Sequence, residues 1–278
     1  MDAVQGKRKN KLMKWIKIIV VLYVLVGAIL YFLQDKILLH PVVLPADYHF
    51  QFNVPFQEIF VPYNGSISFD VIRFESQNGS VKKGAVIYFH GNMENINRYA
   101  KFANNFAEFG YDVWMMDYPS FGKSKGKFDE AIVYEEALQV YKMVRAAGYA
   151  PDSIIIYGKS LGTGIATQLA SVRNCKRLIL ESPYYSLSNL AAYYCWMYPV
   201  DWMLRYKMLT NEYVKNVTAP VTIFHGTEDE TIPFSNAEKL QKESFKKEDE
   251  LIPIKGGHHN DLNDFPLMKE KLDSLLML

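Results

Sequence analysis

The chain contains 278 residues, 49% of them hydrophobic, and its 31 Lys and Arg residues almost balance its 30 Asp and Glu residues. This length accommodates one α/β domain of about 200–250 residues with a short extension. A net charge of +1 provides no broad field to attract a polyanion, so no nucleic-acid partner is expected. Cys175 and Cys195 show no metal-binding spacing, so neither a structural zinc site nor a disulfide framework is expected.

A continuous apolar run covers residues 16–33 and is interrupted only by Lys17. About 18 such residues suffice for a helix to cross the hydrocarbon core of a bilayer, which predicts a transmembrane helix. The alternatives are a cleaved signal peptide, although no clear small-x-small site follows, and a buried helix, although no polar stripe interrupts the run.

Five basic residues precede the apolar run, and the positive-inside rule then places the N-terminus in the cytoplasm and the rest of the chain on the non-cytoplasmic side. These residues are Lys7, Arg8, Lys9, Lys11 and Lys14. The expected organisation is a basic cytoplasmic tail at 1–15, a single-pass anchor at 16–33 and a catalytic domain at 34–278.

The remainder of the chain has the pattern of an α/β domain. Residues 56–62 and 67–74 predict two strands of a hairpin joined through Asn64-Gly65. Apolar runs then alternate with helical patterns, and this alternation predicts a mostly parallel sheet with helices on both faces. The runs are at 85–89, 112–116, 154–157, 178–180, 221–224 and 251–254, and the helices are at 96–109, 129–147, from 160, after 233 and near the C-terminus.

The motif G-x-S-x-G occupies residues 158–162, directly after a strand-like run and directly before a helical pattern. This context is typical of a nucleophile elbow, in which a serine sits on a sharp turn between a strand and a helix. Glycine neighbours allow such a turn, because they let the backbone pack closely while the serine hydroxyl projects. The motif therefore makes Ser160 a candidate nucleophile.

A serine hydroxyl is a poor nucleophile at neutral pH, so Ser160 requires a base, and the base requires an orienting acid. After an elbow serine, the expected chain order is an acid and then a histidine, each on a loop that follows a later strand. The loops at 225–233 and 256–261 fill these positions in that order. Their candidates are Glu228, Asp229 and Glu230 for the acid, and His258 and His259 for the base.

With these motifs the chain resembles the α/β-hydrolase superfamily, in the serine-aminopeptidase-like branch that includes the Bem46-type membrane-anchored proteins. The likeness extends from about Gln34 onward and is carried by residues 90–92, 117–124, the elbow and the two later loops. It implies a triad of Ser160, Asp229 and His259, with His258 as the alternative base. Glu228 and Glu230 would then be solvated loop charges.

The resemblance also implies an oxyanion hole made of backbone N–H groups. One donor would be Leu161, and the other would be Asn92 or, alternatively, Met93. His90, His225 and Asp117 are expected to be structural. Because a serine–histidine pair supplies both the nucleophile and the proton transfer, no metal and no cofactor are expected.

Residues 183–220, rich in Tyr, Trp and Met, lie where this fold places a short lid. Their aromatic side chains are expected to line an acyl site, to touch the bilayer surface, or only to pack the lid against the domain. The chain has Pro119-Ser120 where the family usually has Arg-Gly, a change in a loop near the site.

The expected function is a serine hydrolase that cleaves carboxylic esters, thioesters or amides of small molecules or lipids. The alternatives are an inactive α/β-hydrolase scaffold acting as a membrane-tethered binding protein, and an anchored protein whose domain recruits partners.

Overall fold

The computed structural model describes residues 2–63, 65, 67–77 and 82–277, with side chains from residue 10 onward. The described chain forms ten strands and ten α-helices. The strands are β1 His40–Pro41, β2 Phe56–Pro62, β3 Ser68–Phe74, β4 Gly84–Phe89, β5 Met93–Glu94, β6 Tyr111–Met116, β7 Ile154–Lys159, β8 Arg177–Glu181, β9 Val221–Gly226 and β10 Glu250–Ile254. The α-helices are α1 Asp2–Leu38, α2 Ile96–Tyr99, α3 Asn104–Ala107, α4 Glu130–Ala146, α5 Gly162–Val172, α6 Leu187–Tyr194, α7 Val200–Met203, α8 Thr210–Tyr213, α9 Ser235–Ser244 and α10 Pro266–Met277.

Eight strands form one sheet in the order β10-β9-β8-β7-β4-β6-β3-β2. All neighbours from β10 to β6 pair in parallel, whereas β3 pairs antiparallel with both β6 and β2. The strands β4, β6 and β7 are buried along their whole lengths, as expected for parallel strands covered on both faces. The predicted mostly parallel sheet with an antiparallel start is confirmed.

Two apolar clusters lie on the two faces of this sheet. One face is covered by α4, α5 and α9, and the other by α2, α3 and α10. The strand β4 contributes Ile87 to the first cluster and Tyr88 to the second, since successive side chains of a strand point to opposite faces. The helices therefore cover both faces, as the alternating pattern predicts.

The predicted helix at 96–109 is wrong as a single element. The structure has α2, then a 3-10 segment at Ala100–Ala103, then α3. Buried residues Ile96, Tyr99, Ala103 and Phe106 recur every three or four positions. The tighter 3-10 turn keeps this same side of the segment facing the sheet. In the predicted hairpin β2 and β3 are confirmed, while Asn64 of its turn lies outside the described residues.

The helix α1 extends beyond the predicted span of 16–33 at both ends. Its segment Asn10–Leu38 is long and apolar enough to cross a membrane, and the most apolar 18-residue window in it has a mean hydropathy of 2.7 and is not buried in the protein. Its last turns contact the α/β domain, where Gln34 is buried.

The segment at 183–220 folds into α6, α7, α8 and a 3-10 turn. Cys175 and Cys195 are both unpaired.

Candidate active site

Four loops that follow parallel strands meet at the carboxyl edge of the sheet. Asn92 follows β4, Ser160 follows β7, Asp229 follows β9 and His259 follows β10. The chain passes from β4 to β6 on one side and then returns to β7 on the other side of β4. In open α/β sheets such a reversal of strand order creates a crevice at the carboxyl ends of the strands, where ligands bind. Ser160 and Asn92 lie at this crevice.

The elbow at Ser160 has the strained backbone that the motif predicts. Ser160 has φ 51°, in the left-handed region that non-glycine residues seldom adopt. A Cβ atom at Gly158 would lie 2.5 Å from the carbonyl oxygen of Gly162, and one at Gly162 would lie 2.1 Å from the carbonyl oxygen of Phe89. Glycine is therefore required on both sides of Ser160 by backbone contacts, and the turn presents the serine hydroxyl at the edge of the sheet.

Ser160, His259 and Asp229 form a continuous row of hydrogen bonds. The Ser160 Oγ lies 2.9 Å from the His259 Nε2, and the His259 Nδ1 lies 2.8 Å from the Asp229 Oδ2. An ionised carboxylate only accepts hydrogen bonds, so Nδ1 carries the proton and donates to Asp229. The Nε2 atom is then free to accept the Ser160 hydroxyl proton, which is the arrangement of a general base.

Asp229 is held as a carboxylate. Its Oδ1 accepts hydrogen bonds from the backbone N–H groups of Thr231 (2.9 Å) and Ile232 (2.7 Å). Burial favours the neutral acid, but the hydrogen bonds from His259 and from the Ile232 N–H stabilise the carboxylate and outweigh burial, so the pKa of Asp229 lies below its ordinary value. Asp229 thus remains negatively charged and fixes the orientation of the His259 ring.

His258 points away from Ser160. Its side chain is 51% exposed, and its Nδ1 lies 3.1 Å from the Glu230 carboxylate, which is 65% exposed. The hydrogen bond to Glu230 raises the pKa of His258 above its ordinary value. Glu228 is similarly exposed and lies 4.0 Å from the His258 ring. The structure therefore brings His259, and not His258, to Ser160, and it leaves Glu228 and Glu230 at the surface.

The remaining buried histidines have structural partners. The His225 Nε2 donates a hydrogen bond of 2.8 Å to the carbonyl oxygen of Ile232, and burial lowers the pKa of His225, which favours its neutral form. The His90 Nε2 lies 3.2 Å from the Asp117 Oδ1, and this carboxylate oxygen also accepts the Ile96 N–H at 2.9 Å. These contacts tie the loops after β9 and β4 to their neighbours.

The two residues expected to supply the oxyanion donors, Asn92 and Leu161, line the same cavity as Ser160. Within the described chain neither of their backbone N–H groups donates a hydrogen bond. Asn92 is held by its side chain, whose Nδ2 donates to the carbonyl oxygen of Leu38 at 2.7 Å. Leu161 precedes the first turn of α5, so the positive end of the helix dipole also faces this position. Met93 does not line the cavity; it pairs with His40 in the short bridge between β1 and β5.

Ser120 occupies the position where the resemblance leads one to expect glycine. Its φ of 71° is the left-handed conformation that glycine adopts without steric cost. The backbone of this loop is thus of the glycine type, although the residue is serine, and Pro119-Ser120 does not enter the row of hydrogen bonds at Ser160.

A cavity of about 460 Å³ opens beside Ser160. Its size is within the range of small-molecule and cofactor pockets, about 300–1,000 Å³, and its lining is predominantly apolar, as is usual for such sites. Residues 183–220 supply about half of the lining residues, including Tyr184, Leu187, Tyr194 and Tyr198. Tyr184, Tyr194 and Tyr198 thus line a cavity beside Ser160, and the prediction that they line an acyl site stays a prediction.

The wall of this cavity that α1 forms was not predicted from the sequence. Five residues of α1 line it: Leu30, Tyr31, Gln34, Ile37 and Leu38. Gln34, a polar residue directly after the apolar run, was the available signal. It is 4% exposed and accepts the Arg205 N–H at 2.8 Å.

Comparisons with known proteins agree with this fold. A sequence model of the family described as serine aminopeptidase, S33, matches residues 80–207. The chain is 27% identical over 226 residues to the alpha/beta hydrolase domain-containing protein 17C of Xenopus tropicalis, covering 74% of this chain and 69% of that protein. It is 28% identical over 199 residues to the human protein of that name, covering 69% of this chain, and spans only 57% of the human protein's length.

Two solved structures share the fold at low sequence identity. An esterase of Pyrococcus furiosus superposes with a TM-score of 0.64 at 17% identity, covering 86% of this chain and 97% of that one. A soluble variant of monoglyceride lipase from Saccharomyces cerevisiae, in complex with a substrate analogue, superposes with a TM-score of 0.60 at 20% identity, covering 83% and 99%.

The parallel sheet, the serine elbow and the loops that meet above it define the class of α/β hydrolases. The chain has the α/β-hydrolase fold, and the relatives that it resembles in sequence are α/β hydrolases. The family match and the relatives support a hydrolase function.

Proposed function

We propose that this chain is a serine hydrolase that cleaves a carboxylic ester, thioester or amide through an acyl-enzyme intermediate, with Ser160 as nucleophile, His259 as general base and Asp229 as its orienting acid. The observation that carries the proposal is the row of hydrogen bonds from Ser160 through His259 to Asp229, 2.9 Å and 2.8 Å long. These groups come from three loops, and Ser160 lines the predominantly apolar cavity.

In the acylation step the Ser160 Oγ attacks the substrate carbonyl carbon while its proton passes to the His259 Nε2. The carbonyl oxygen becomes an oxyanion, and the N–H groups of Leu161 and Asn92 donate to it. The carbon–oxygen, carbon–sulfur or carbon–nitrogen bond of the leaving group then breaks, and His259 returns the proton to that group. Asp229 stabilises the imidazolium during this step because its carboxylate remains ionised.

In the deacylation step a water molecule takes the place of the serine. His259 accepts a proton from this water as its oxygen attacks the acyl carbon, and the bond to the Ser160 Oγ breaks as the proton returns to Oγ. The products are a carboxylic acid and the free enzyme. Every proton transfer uses the same imidazole, so the reaction needs no group beyond the three side chains and two backbone donors.

The names of similar proteins favour ester substrates. An esterase and a monoglyceride lipase are among the solved structures with this fold, and the family match is to a serine aminopeptidase. The predominantly apolar cavity beside Ser160 is suited to an acyl group. We therefore place carboxylic esters first among the three substrate types.

A fluorophosphonate probe tests the mechanism directly. The Ser160 Oγ is expected to displace fluoride and form a stable bond to phosphorus, and Ser160→Ala should abolish both this labelling and ester turnover. The matched control is Ser171→Ala, on the outer part of α5, whose hydroxyl only bonds the carbonyl oxygen of Gln168. A folded wild-type chain that neither labels nor hydrolyses esters would identify an inactive scaffold that serves as a membrane-tethered binding protein.

The proposal includes a membrane location. α1 would cross the bilayer once, with its basic N-terminal residues in the cytoplasm and the α/β domain on the non-cytoplasmic side. The apolar segment Asn10–Leu38 supports the anchor, and the cluster of five basic residues before position 16 supports the orientation.

A further inference from the structure

The helix α1 forms one wall of the cavity beside Ser160. Leu30, Gln34 and Leu38 all line this cavity and are spaced four residues apart. Residues with this spacing lie on one face of a helix. Other lining residues come from α6, such as Leu187 and Ala191, and from α7, such as Val200. Removing α1 would therefore leave the cavity open along one side.

Polar contacts hold this wall in place. The Gln34 Oε1 accepts the Arg205 N–H at 2.8 Å, and its Nε2 lies 3.3 Å from the carbonyl oxygen of Met203. The Arg205 guanidinium pairs with Asp35 at 2.9 Å, and the Tyr206 hydroxyl donates to the same carboxylate at 2.9 Å. The last turns of α1 are thus fixed to residues 203–206, so the wall has a defined position relative to Ser160.

Residues of the lid also contact α1 closer to its N-terminus, within the predicted membrane span. The rings of Tyr23 and Tyr198 stack with centroids 4.6 Å apart, and the Tyr23 hydroxyl donates to the carbonyl oxygen of Met197 at 2.7 Å. Tyr23 lies ten residues before Leu33, the end of the predicted span, which is about 15 Å along a helix. The hydrocarbon core is about 30 Å thick. The distance of 15 Å is about half of that thickness, so the segment around Tyr198 packs beside the half of α1 that is nearer the domain.

The outer surface of the lid suits this location. Tyr193, Trp196 and Trp202 are 63%, 78% and 89% exposed. Tryptophan and tyrosine are enriched where membrane proteins meet the interface between hydrocarbon and water, and amphipathic segments bury such residues there. The cavity also reaches the protein surface on this side, since its lining residues Ile37 and Tyr194 are 52% and 53% exposed.

We propose that the substrate is a long-chain acyl ester dissolved in the bilayer, and that its acyl chain enters the cavity sideways between α1 and the lid. This inference rests on the proposed hydrolase function, which supplies the reacting end of the cavity at Ser160. Asn92, Glu230 and Thr231 line the cavity together with Ser160, and apart from Gln34 the rest of the lining is mostly apolar. The ester carbonyl thus lies at Ser160 and the chain lies along α1, which makes α1 a determinant of substrate specificity.

The test compares two esters that share one leaving group, 4-nitrophenyl palmitate in phosphatidylcholine vesicles and 4-nitrophenyl acetate in water, with the full chain reconstituted in the vesicles. Leu30→Trp fills the cavity from the α1 side and should lower the palmitate-to-acetate ratio of kcat/KM by about ten-fold or more, because the larger ring displaces the acyl chain. Leu25→Trp is the matched control. Leu25 is 52% exposed on α1 and does not line the cavity, so the ratio should not change.

A second pair of variants makes the same test from the lid. Ala191 lines the cavity and its neighbour Ala192 does not. Ala191→Trp should lower the palmitate-to-acetate ratio as Leu30→Trp does, whereas Ala192→Trp should leave it near the wild-type value. An unchanged ratio in both Leu30→Trp and Ala191→Trp would overturn the proposal, and so would an equal fall in rate on both esters in all four variants.

A binding measurement separates this proposal from the catalytic one. The Ser160→Ala chain in phosphatidylcholine vesicles is irradiated with palmitate that carries a diazirine at the end of its chain, and the labelled residues are mapped by mass spectrometry. Leu187 is 5% exposed, so label there requires a chain inside the cavity. Label at Leu187 that is lost in Leu30→Trp supports the inference even if no ester is hydrolysed. Label confined to lipid-facing residues such as Leu25 and Trp202 overturns it.

Discussion

The Ser160 Oγ and the His259 Nε2 lie 2.9 Å apart although 99 residues separate them in the chain. This contact selects between the two adjacent histidines of the loop after β10. We expect His259→Ala to abolish ester turnover to about the level of Ser160→Ala, because the members of a triad act as a unit. His258→Ala should cost about ten-fold or less, since its ring contacts Glu230 at the surface. Steady-state kinetics decide the matter, and a larger loss in His258→Ala would transfer the role of base to His258.

Asp229 is expected to act through His259. Asp229→Asn replaces an acceptor by an amide, which no longer holds the proton on Nδ1, so kcat should fall by about 10⁴-fold while the fold is retained. Glu228→Gln is the control, because Glu228 is 64% exposed in the same loop, and it should leave kcat near the wild-type value. Kinetics together with circular dichroism measure both effects. A near-normal kcat in Asp229→Asn would remove this residue from the mechanism.

The elbow should not tolerate a side chain at Gly162. Its added Cβ would lie 2.1 Å from the Phe89 carbonyl oxygen and 2.7 Å from that of His90, and backbone atoms cannot move aside cheaply. Gly162→Ala should therefore destabilise the protein by about 3 kcal/mol or more and eliminate fluorophosphonate labelling. At Gly65 an added Cβ meets no heavy atom of the described residues within 4 Å, so Gly65→Ala should change neither property. Full labelling of a stable Gly162→Ala protein would contradict the steric explanation of the motif.

Glu136 should make the stability of the domain depend on pH. Burial in α4 raises the pKa of its carboxyl from 4.5 to about 8, and neither of its oxygens has a hydrogen-bond partner within the described chain. Between these two values the unfolded chain loses the proton while the folded chain keeps it. The preference of the folded state for the protonated carboxyl therefore contributes fully to the free energy of unfolding below pH 4.5. This contribution is lost as the pH rises through about 8.

Substitution of Glu136 should reveal this contribution. The free energy of unfolding of Glu136→Gln, measured relative to that of the wild type, should rise by on the order of a few kcal/mol from pH 5 to pH 9. The reason is that glutamine cannot ionise, whereas the wild-type carboxyl does. The neighbouring Glu135 is exposed, so Glu135→Gln should show the pH dependence of the wild type. Thermal unfolding of the full chain in detergent micelles at both pH values measures the difference. An equal change in Tm for Glu136→Gln at pH 5 and pH 9 would show that the carboxyl does not titrate as stated.

The proposed orientation predicts which side of a sealed membrane exposes the α/β domain. Protease added to the non-cytoplasmic side of spheroplasts or sealed vesicles should digest the domain, while an epitope placed before Lys7 should survive. Immunoblotting for both ends measures this. Protection of the domain from that side would reverse the orientation, and a mature chain that begins near Gln34 would show that the apolar segment is a cleaved signal.

The sequence by itself predicts those parts of the site that depend on short-range geometry. The elbow at 158–162 could be predicted because a left-handed serine between two tight backbone contacts needs glycine on each side, and this requirement is visible in five consecutive residues. The apolar strand runs and their order likewise predict a parallel sheet, since burial on both faces requires apolar residues throughout. The loops that carry Asp229 and His259 follow from that strand order.

Only the tertiary structure decides which histidine meets the serine and what encloses the cavity. His258 and His259 are chemically identical neighbours, and their roles differ because one ring is buried between Asp229 and Ser160 while the other faces solvent. The apolar pattern of 16–33 predicts a helix that crosses a bilayer, but it contains no information about which face of that helix packs against the lid more than 160 residues away. Such contacts depend on where the chain returns in space, and a local pattern of side chains does not specify that position.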